Sequence, residues 1–168
     1  MQFRKAGVKD IAAMTTLILE EGPSEWNHLP EKETREHVAG IADGRTSALV
    51  AEECQQIVGF VSYVTGKIYP QYEPEEAKSE DHAYISEAVV HRDYTGRGLG
   101  TRLLNMATDD LMKKGYWRIY AHRHEENKAS ARMLEKAGFQ IVDTFDDPER
   151  RPHGSRRTTV CRYFRCDG

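Results

Sequence analysis

The chain has 168 residues, of which 39% are hydrophobic and 30% charged, and its formal net charge is −3. This composition excludes a disordered polypeptide, and the apolar runs are too short to span a bilayer, so we expect no membrane association. The near-neutral balance also argues against nucleic-acid binding, which needs a clearly basic face. The length suits a single domain over residues 1–168.

The cysteines and the first residues bear on location. Met1–Lys5 lacks the apolar stretch that is typical of a secretory signal. Cys54, Cys161 and Cys166 are odd in number and lack the paired spacing of a metal finger. This usage indicates reduced thiols, so we expect a cytoplasmic protein without a metal site.

The first half of the chain has the patterns of one strand, two helices and a hairpin. Apolar residues from Ile11 to Ile18 recur at helical spacing, and Gly22-Pro23 ends that run. Cys54-Gln55-Gln56 joins two β-rich runs, which predicts a hairpin. The predicted elements are a strand at Gln2–Ala6, a helix from Val8 to Gly22, a weaker helix from Pro30 to Asp43, and hairpin strands at Ser47–Glu53 and Ile57–Val64.

The second half begins after an acidic loop, Gly66–Asp81. A basic loop with Arg150, Arg151, Arg156 and Arg157 separates the last two strands. The acidic loop could attract a cationic ligand and the basic loop an anionic one, although both are most simply interpreted as solvated. The predicted elements are strands at His82–Val90, Trp117–Ala121, Gln140–Phe145 and Thr158–Arg165, and helices at Gly98–Lys114 and Lys128–Ala137. This order predicts an α+β fold with a mixed, mostly antiparallel sheet of about seven strands and about four helices.

Three glycines at alternate positions, Gly96, Gly98 and Gly100, lie between a strand and a strongly amphipathic helix. Glycine lets the backbone turn sharply there, and the first N–H groups of the helix form a phosphate site to which Arg97 adds charge. A flexible turn without a ligand is the alternative. The dinucleotide fingerprint fails because Thr101 stands at its third glycine, and no Gly-Lys-Ser/Thr of a P-loop occurs.

Two segments resemble the GCN5-related N-acetyltransferase (GNAT) family. Thr95-Gly96-Arg97-Gly98-Leu99-Gly100 is similar to its pyrophosphate loop, Gln/Arg-x-x-Gly-x-Gly/Ala, with Thr95 where Gln or Arg is usual. Asn127–Phe139 resembles its Asn-x-x-Ser/Ala…Glu-Lys-x-Gly-Phe helix, although Asn127 and Gly138 would also cap an ordinary helix. Because the two segments occur at the expected distance, the chain is identified as a member over nearly its whole length.

The resemblance implies a cleft for acetyl-CoA where the fourth and fifth strands splay apart. Val89 and Val90 would offer backbone groups to the pantetheine arm, and Asn127 and Ser130 would form the other wall. The residues that would hold the pyrophosphate are Gly96, Arg97, Gly98, Leu99, Gly100 and Thr101. Dimers are common among such domains.

The implied reaction is direct acetyl transfer to an amine acceptor. The acceptor would be a small amine, an amino acid, an antibiotic, or an amino group of a protein or peptide. A non-catalytic acyl-CoA-binding module, acting as a sensor or in assembly, is the alternative.

Glu87 is the candidate general base, because a protonated amine must lose a proton before it attacks. Strand alternation predicts that Glu87 shares a face with Ile85 and Val89, where apolar neighbours would raise its pKa. The alternative is an edge or surface glutamate. The family often carries a proton-donating Tyr, sometimes a His, at the position of Leu134. Nearby helix N–H groups, the Ser130 hydroxyl or a water are therefore the candidates to stabilise the departing thiolate.

His122 and His124 are two residues apart and could bind a metal ion. No third ligand has suitable spacing, which favours polar histidines in a loop after the fifth strand.

Overall fold

A computed structural model describes residues 1–164 and shows a seven-stranded sheet in the order β1-β2-β3-β4-β5-β7-β6. The mixed α+β architecture predicted from the sequence is confirmed, while Cys166 and the end of the last predicted strand, Arg165, lie outside the described residues. The elements are β1 (Gln2–Lys5), α1 (Ile11–Glu21), α2 (Glu31–Ala39), β2 (Ser47–Glu53), β3 (Gln56–Gly66), β4 (His82–Val90), α3 (Leu99–Lys113), β5 (Ile119–His124), α4 (Lys128–Lys136), β6 (Phe139–Asp146) and β7 (Arg157–Tyr163).

The sheet opens at its centre, between β4 and β5. These strands are parallel, whereas the other pairs of the described sheet are antiparallel. They are in register only at Ala83 with Ile119 and at Tyr84 with Tyr120. Beyond Tyr84 the two strands no longer pair, so the second half of β4 has an unpaired edge that faces a gap.

Of the three apolar cores among the described residues, two lie between the sheet and its helices, one on each face. On one face α3 and α4 pack against it through fully or almost fully buried side chains such as Leu103, Leu104 and Leu134. On the other face α1 and α2 bury Met14 and Val38. Each such side chain contributes about 1.5–3 kcal/mol by leaving water, so the two cores fix the helices on either side of the gap.

A β-bulge in β4 changes which side chains share a face. Glu87 pairs with Ser62 on β3, but the next residue of β3, Tyr63, pairs with Ile85, so β4 contains one extra residue. Ile85 therefore joins the core under α3, whereas Val89 joins the core under α1 and α2. Glu87 therefore shares a face of the sheet with Val89, as predicted. The prediction that Ile85 lies on that same face is wrong.

β5 begins and ends later than the sequence suggested. Trp117, the predicted first residue, is 61% exposed, and the strand continues to His124 because its pairing with β7 continues to that residue. His122 and His124 are therefore strand residues, and the expectation of loop histidines is wrong. The polar ring atoms of both side chains have hydrogen-bond partners, which compensates their position in the sheet.

No helix within residues 1–164 is both long and apolar enough to cross a membrane.

Candidate active site

A cleft of about 740 Å³ occupies the gap between the splayed strands. Its walls come from β4, β5, the start of α4, and the connections α1–α2 and β6–β7. It reaches side chains on both faces of the sheet, because Leu104 and Leu134 line it from one face and His37 lines it from the other. A ligand held in the gap can therefore contact groups from both faces.

The glycine loop ends in an exposed start of α3. Gly96 and Gly98 have φ angles of +79° and +76°, a left-handed backbone that strains any residue with a Cβ. Arg102 donates the first helical hydrogen bond, to the Gly98 carbonyl at 3.0 Å, so the preceding N–H groups have no partner within the helix. Gly96, Arg97 and Gly98 are exposed, so this end of α3 is accessible to an anion.

The remaining loop residues differ in what they can offer. The Leu99 side chain is buried in the α3 core, so only its N–H can meet a ligand. A Cβ at Gly100 would lie 2.5 Å from the Met133 sulfur, so a larger residue there would displace the flexible Met133 side chain of α4. The Arg97 guanidinium stacks 4.8 Å from the centre of the Tyr94 ring.

The unpaired edge of β4 presents alternate backbone groups. The N–H of His91 donates to the Val58 carbonyl on β3 at 2.8 Å. Because backbone groups alternate along a strand, Val89 faces β3, whereas Val90 and Ala88 direct theirs toward the gap. Of the two valines that the sequence suggested, Val90 is placed to pair with a ligand; Ala88, two residues earlier, was missed.

The start of α4 forms the opposite wall. The Asn127 side-chain oxygen accepts a hydrogen bond from the Ser130 N–H at 3.1 Å, which makes Asn127 the N-cap of the helix. Asn127, Ser130 and Leu134 all line the cleft. Leu134 is only 4% exposed and belongs to the α3 core, so its side chain contributes packing at the base of this wall.

Glu87 lies in the cleft on the face of α1 and α2. Burial raises its pKa to about 7, and the positive charge of Arg151 opposes that rise. Its cross-strand neighbour Ser62 has its hydroxyl 2.8 Å from Nε2 of His37, a cleft residue whose pKa burial lowers. A carboxyl with a pKa near neutrality can accept and release a proton under ordinary conditions.

Two tyrosines hold His122, which lines the same cleft as Glu87. The Tyr84 hydroxyl lies 2.6 Å from Nε2 of His122, and the Tyr69 hydroxyl lies 2.9 Å from Nδ1. Burial, together with the charges of Arg151 and Arg150, keeps the pKa of His122 well below its usual value. No local pattern in the sequence predicts this cluster, because Tyr69 is 53 residues from His122 along the chain.

The two loops that the sequence suggested were solvated each contain a buried charge. Arg151, in the β6–β7 connection, is 4% exposed and lines the cleft. Glu73, in the acidic loop, is buried with its carboxylate 3.3 Å from His82 and 3.2 Å from Arg118. Arg118 compensates the charge of Glu73, whereas the hydrogen bonds of Arg151 go to neutral groups, the Thr158 hydroxyl and the Trp26 carbonyl.

Within residues 1–164, no group of three or more His, Cys, Asp or Glu side chains is arranged to hold a metal ion.

Comparison with known proteins gives two curated relatives that match parts of the chain. The chain is 27% identical over 66 residues to GCN5-related N-acetyltransferase 6, chloroplastic, of Arabidopsis thaliana, a match of 39% of this chain and 23% of that protein. It is 26% identical over 94 residues to the L-amino acid N-acyltransferase MnaT of Escherichia coli, a match of 56% of this chain and 50% of that protein. The chain thus spans half or less of the length of these relatives.

A solved structure with the same fold is Arabidopsis thaliana Naa50 in complex with a bisubstrate analogue, CoA-Ac-MVNAL. It superposes with a TM-score of 0.70 at 22% identity, over 98% of this chain and 100% of that one. The sequence profile of the Acetyltransferase (GNAT) family matches residues 11–139, which include the glycine loop, the splayed strands and α4. The chain therefore belongs to the GNAT acetyltransferase family.

Proposed function

We propose that the chain transfers an acetyl group from acetyl-CoA to an amine. The observation that carries this proposal is the cleft between β4 and β5, which the capped start of α4 and the carboxyl of Glu87 both line. Such a cleft can hold a thioester and an amine on opposite sides of the same gap. The Naa50 structure holds a bisubstrate analogue, CoA-Ac-MVNAL, which supports a donor and an acceptor that meet in this fold.

The glycine loop is the proposed site for the CoA pyrophosphate. The first N–H groups of α3 and the positive end of the helix dipole attract phosphate oxygens, and Arg97 adds a full charge. From there the pantetheine arm would run along β4 and pair with the backbone of Val90 and Ala88, as an added strand does. Asn127 and Ser130 would close the other side of the arm.

Glu87 is the proposed general base. Its carboxylate takes a proton from the ammonium group of the acceptor, either directly or through water, which frees the nitrogen lone pair. The nitrogen then attacks the thioester carbonyl and a C–N bond forms. The C–S bond breaks with its electron pair leaving on sulfur, and the nitrogen loses its second proton to the departing sulfur or to solvent. A pKa of about 7 suits this task, since the group is partly ionised at neutral pH and can still hold the proton it takes.

The leaving thiolate needs little assistance. A thiol has a pKa of about 8.5, so the sulfur departs as an anion more readily than an alkoxide would. The side chain at the family's usual acid position, Leu134, has no proton to donate. The Ser130 hydroxyl is the proposed group that stabilises the anion, because it lines the cleft one helical turn before Leu134.

Two measurements test the proposal. Release of free CoA thiol from acetyl-CoA, followed with a panel of amines, detects transfer, and calorimetry with CoA measures binding. Thiol release that depends on an amine supports an enzyme. CoA binding without thiol release for any amine would favour the acyl-CoA-binding module, and absence of both would refute the proposed site.

A further inference from the structure

One guanidinium in the cleft has an unsatisfied hydrogen-bond donor. Arg151 donates from Nε to the Thr158 hydroxyl at 3.0 Å and from Nη1 to the Trp26 carbonyl at 3.3 Å. Its Nη2 is buried and has no hydrogen-bond partner among the described residues. The partners that Arg151 does have are neutral, so the hydrogen bonds do not neutralise the charge.

No carboxylate within residues 1–164 forms an ion pair with Arg151. Its neighbour in sequence behaves differently, because Arg150 lies 3.3 Å from Asp147 and is exposed. Arginine remains charged in proteins, and a buried charge without a counter-ion is strongly unfavourable. Burial, together with the adjacent Arg150 charge, lowers the pKa of Arg151, and the nearby Asp147 charge offsets this only in part.

The position of Arg151 indicates which part of a ligand it would meet. It lies in the β6–β7 connection, is bonded to the α1–α2 connection through Trp26, and lines the cleft together with Glu87. Its charge acts on Glu87, since it lowers the pKa of that carboxyl. The glycine loop, by contrast, precedes α3, which packs on the opposite face of the sheet. Arg151 is therefore on the side of the general base.

We propose that Arg151 binds a carboxylate of the acceptor, so that the acceptors are amines that also carry a carboxylate, with free α-amino acids as the simplest members. This inference rests on the proposed acetyl transfer. With the ammonium group at Glu87, a carboxylate on the same small molecule accepts a charge-assisted hydrogen bond from Nη2 of Arg151. Binding then supplies a directly bonded counter-ion, which residues 1–164 do not give Arg151.

The test compares acceptors that differ only in that charge. Thiol release from acetyl-CoA is measured with free α-amino acids and with their carboxamides, and with peptides that begin with Asp or Asn. A charge-assisted hydrogen bond predicts a kcat/KM at least about tenfold higher for the acid than for the amide of one of these pairs. A preference for free amino acids over their carboxamides shows that the α-carboxylate is recognised. A preference for Asp over Asn peptides shows that a side-chain carboxylate is recognised.

Variants assign the preference to Arg151. Arg151→Gln should reduce the ratio of acid to amide toward one while CoA affinity is retained, and Arg151→Lys should keep part of it. Arg156→Gln removes the same charge from an exposed residue of the same loop and should leave the ratio unchanged. If Arg151→Gln does not fold, the ratio of kcat/KM for acids to that for amides in the unaltered protein still shows whether the acceptor carboxylate is recognised.

Equal kcat/KM for acids and amides in both pairs would overturn the inference and leave acetyl transfer standing. So would a ratio that Arg151→Gln preserves. Absence of thiol release with every amine would instead contradict the proposed function. In that case calorimetry of amino acids against their amides, on CoA-saturated protein, tests carboxylate binding by itself, and equal heats of binding would overturn it.

Discussion

The Tyr84 hydroxyl lies 2.6 Å from Nε2 of His122, at the last residue where β4 still pairs with β5. The other ring nitrogen of His122 meets the Tyr69 hydroxyl. Nδ1 also lies 3.3 Å from Nη1 of Arg150, a group that can only donate. In the neutral imidazole Nδ1 therefore accepts hydrogen bonds, and Nε2 donates to the Tyr84 hydroxyl. This arrangement fixes the orientation of the ring at the mouth of the gap between the strands.

We predict that His122 stays neutral where an ordinary histidine titrates, at about pH 5 to 8. Burial and the nearby arginines hold its pKa well below the usual value. Because the unfolded chain would take up the proton and the folded chain would not, His122 contributes stability that is lost as the pH falls below about 6.5.

NMR of the histidine rings, with the resonance of His122 assigned from its loss in His122→Gln, measures this titration. Tyr84→Phe leaves a ring nitrogen without its partner and should lower the free energy of unfolding by about 1–3 kcal/mol. A His122 ring that titrates near its ordinary pKa would contradict the prediction.

A second prediction concerns the glycine loop. Gly98→Val should reduce CoA affinity more than tenfold, a loss of about 1.4 kcal/mol, because the left-handed backbone that exposes the α3 N–H groups is strained by a Cβ. Gly44→Val is the matched control. Gly44 has a similar φ of +81°, and a Cβ at either glycine meets open space.

Both variants should lose a similar amount of stability in thermal unfolding, while calorimetry shows weaker CoA binding for Gly98→Val alone. Unchanged affinity in folded Gly98→Val would remove the pyrophosphate assignment.

Much of the fold could be predicted from the sequence, because it rests on local signals. Helical periodicity, the left-handed turn at Cys54 and Gln55, and Gly138 with φ +94° after α4 are all encoded within a few residues. The bulge in β4 depends instead on how Tyr63 and Ser62 of β3 pair with it, and nothing within β4 specifies which residue is extra.

The same distinction applies to the site. The glycine turn before α3 and the Asn127 cap of α4 are local patterns that the structure contains, while their part in CoA binding stays a prediction. The burial of Arg151 and the two tyrosines on His122 require contacts between residues far apart in the chain. The composition of the β6–β7 connection suggested a solvated basic loop. Composition does not indicate which arginine of that loop the α1–α2 connection covers.

A third prediction concerns Glu87. As a base it must be ionised in the free enzyme, so kcat/KM should rise with pH and level off above a pKa of about 7. Glu87→Gln should lower kcat, abolish this acidic limb and leave CoA affinity unchanged. Ser86→Ala is the control, because it alters the bulge residue beside Glu87 and leaves the Glu87 carboxyl in place.

The stability of the same variant gives an independent measurement. The folded pKa of Glu87 is raised above that of the unfolded chain, so its stabilising contribution is present below about pH 4.5 and is lost as the pH rises through about 7. Glu87→Gln should therefore be more stable than the unaltered protein at alkaline pH, by about 1–3 kcal/mol, with little gain in acid. A full-rate variant with an unchanged pH profile would make Glu87 a structural residue.

The last prediction concerns Leu134, which the resemblance to the family aligns with a proton-donating Tyr. Its side chain is 4% exposed and packs in the α3 core, so we expect a packing role without chemistry. Leu134→Met keeps the volume and should remain folded and nearly as active. Leu134→Ala should lose about 2–5 kcal/mol of stability through the cavity it leaves.

Ser130→Ala is the companion variant, since it removes a cleft hydroxyl and leaves intact the Asn127 cap, which uses the Ser130 N–H. If the hydroxyl stabilises the thiolate, Ser130→Ala lowers kcat modestly and does not change thermal unfolding, whereas Leu134→Met changes neither. A large fall in kcat for Leu134→Met, with stability and CoA affinity retained, would contradict the packing role. It would show that the shape of this side chain positions the thioester, because methionine differs from leucine in branching rather than in polarity.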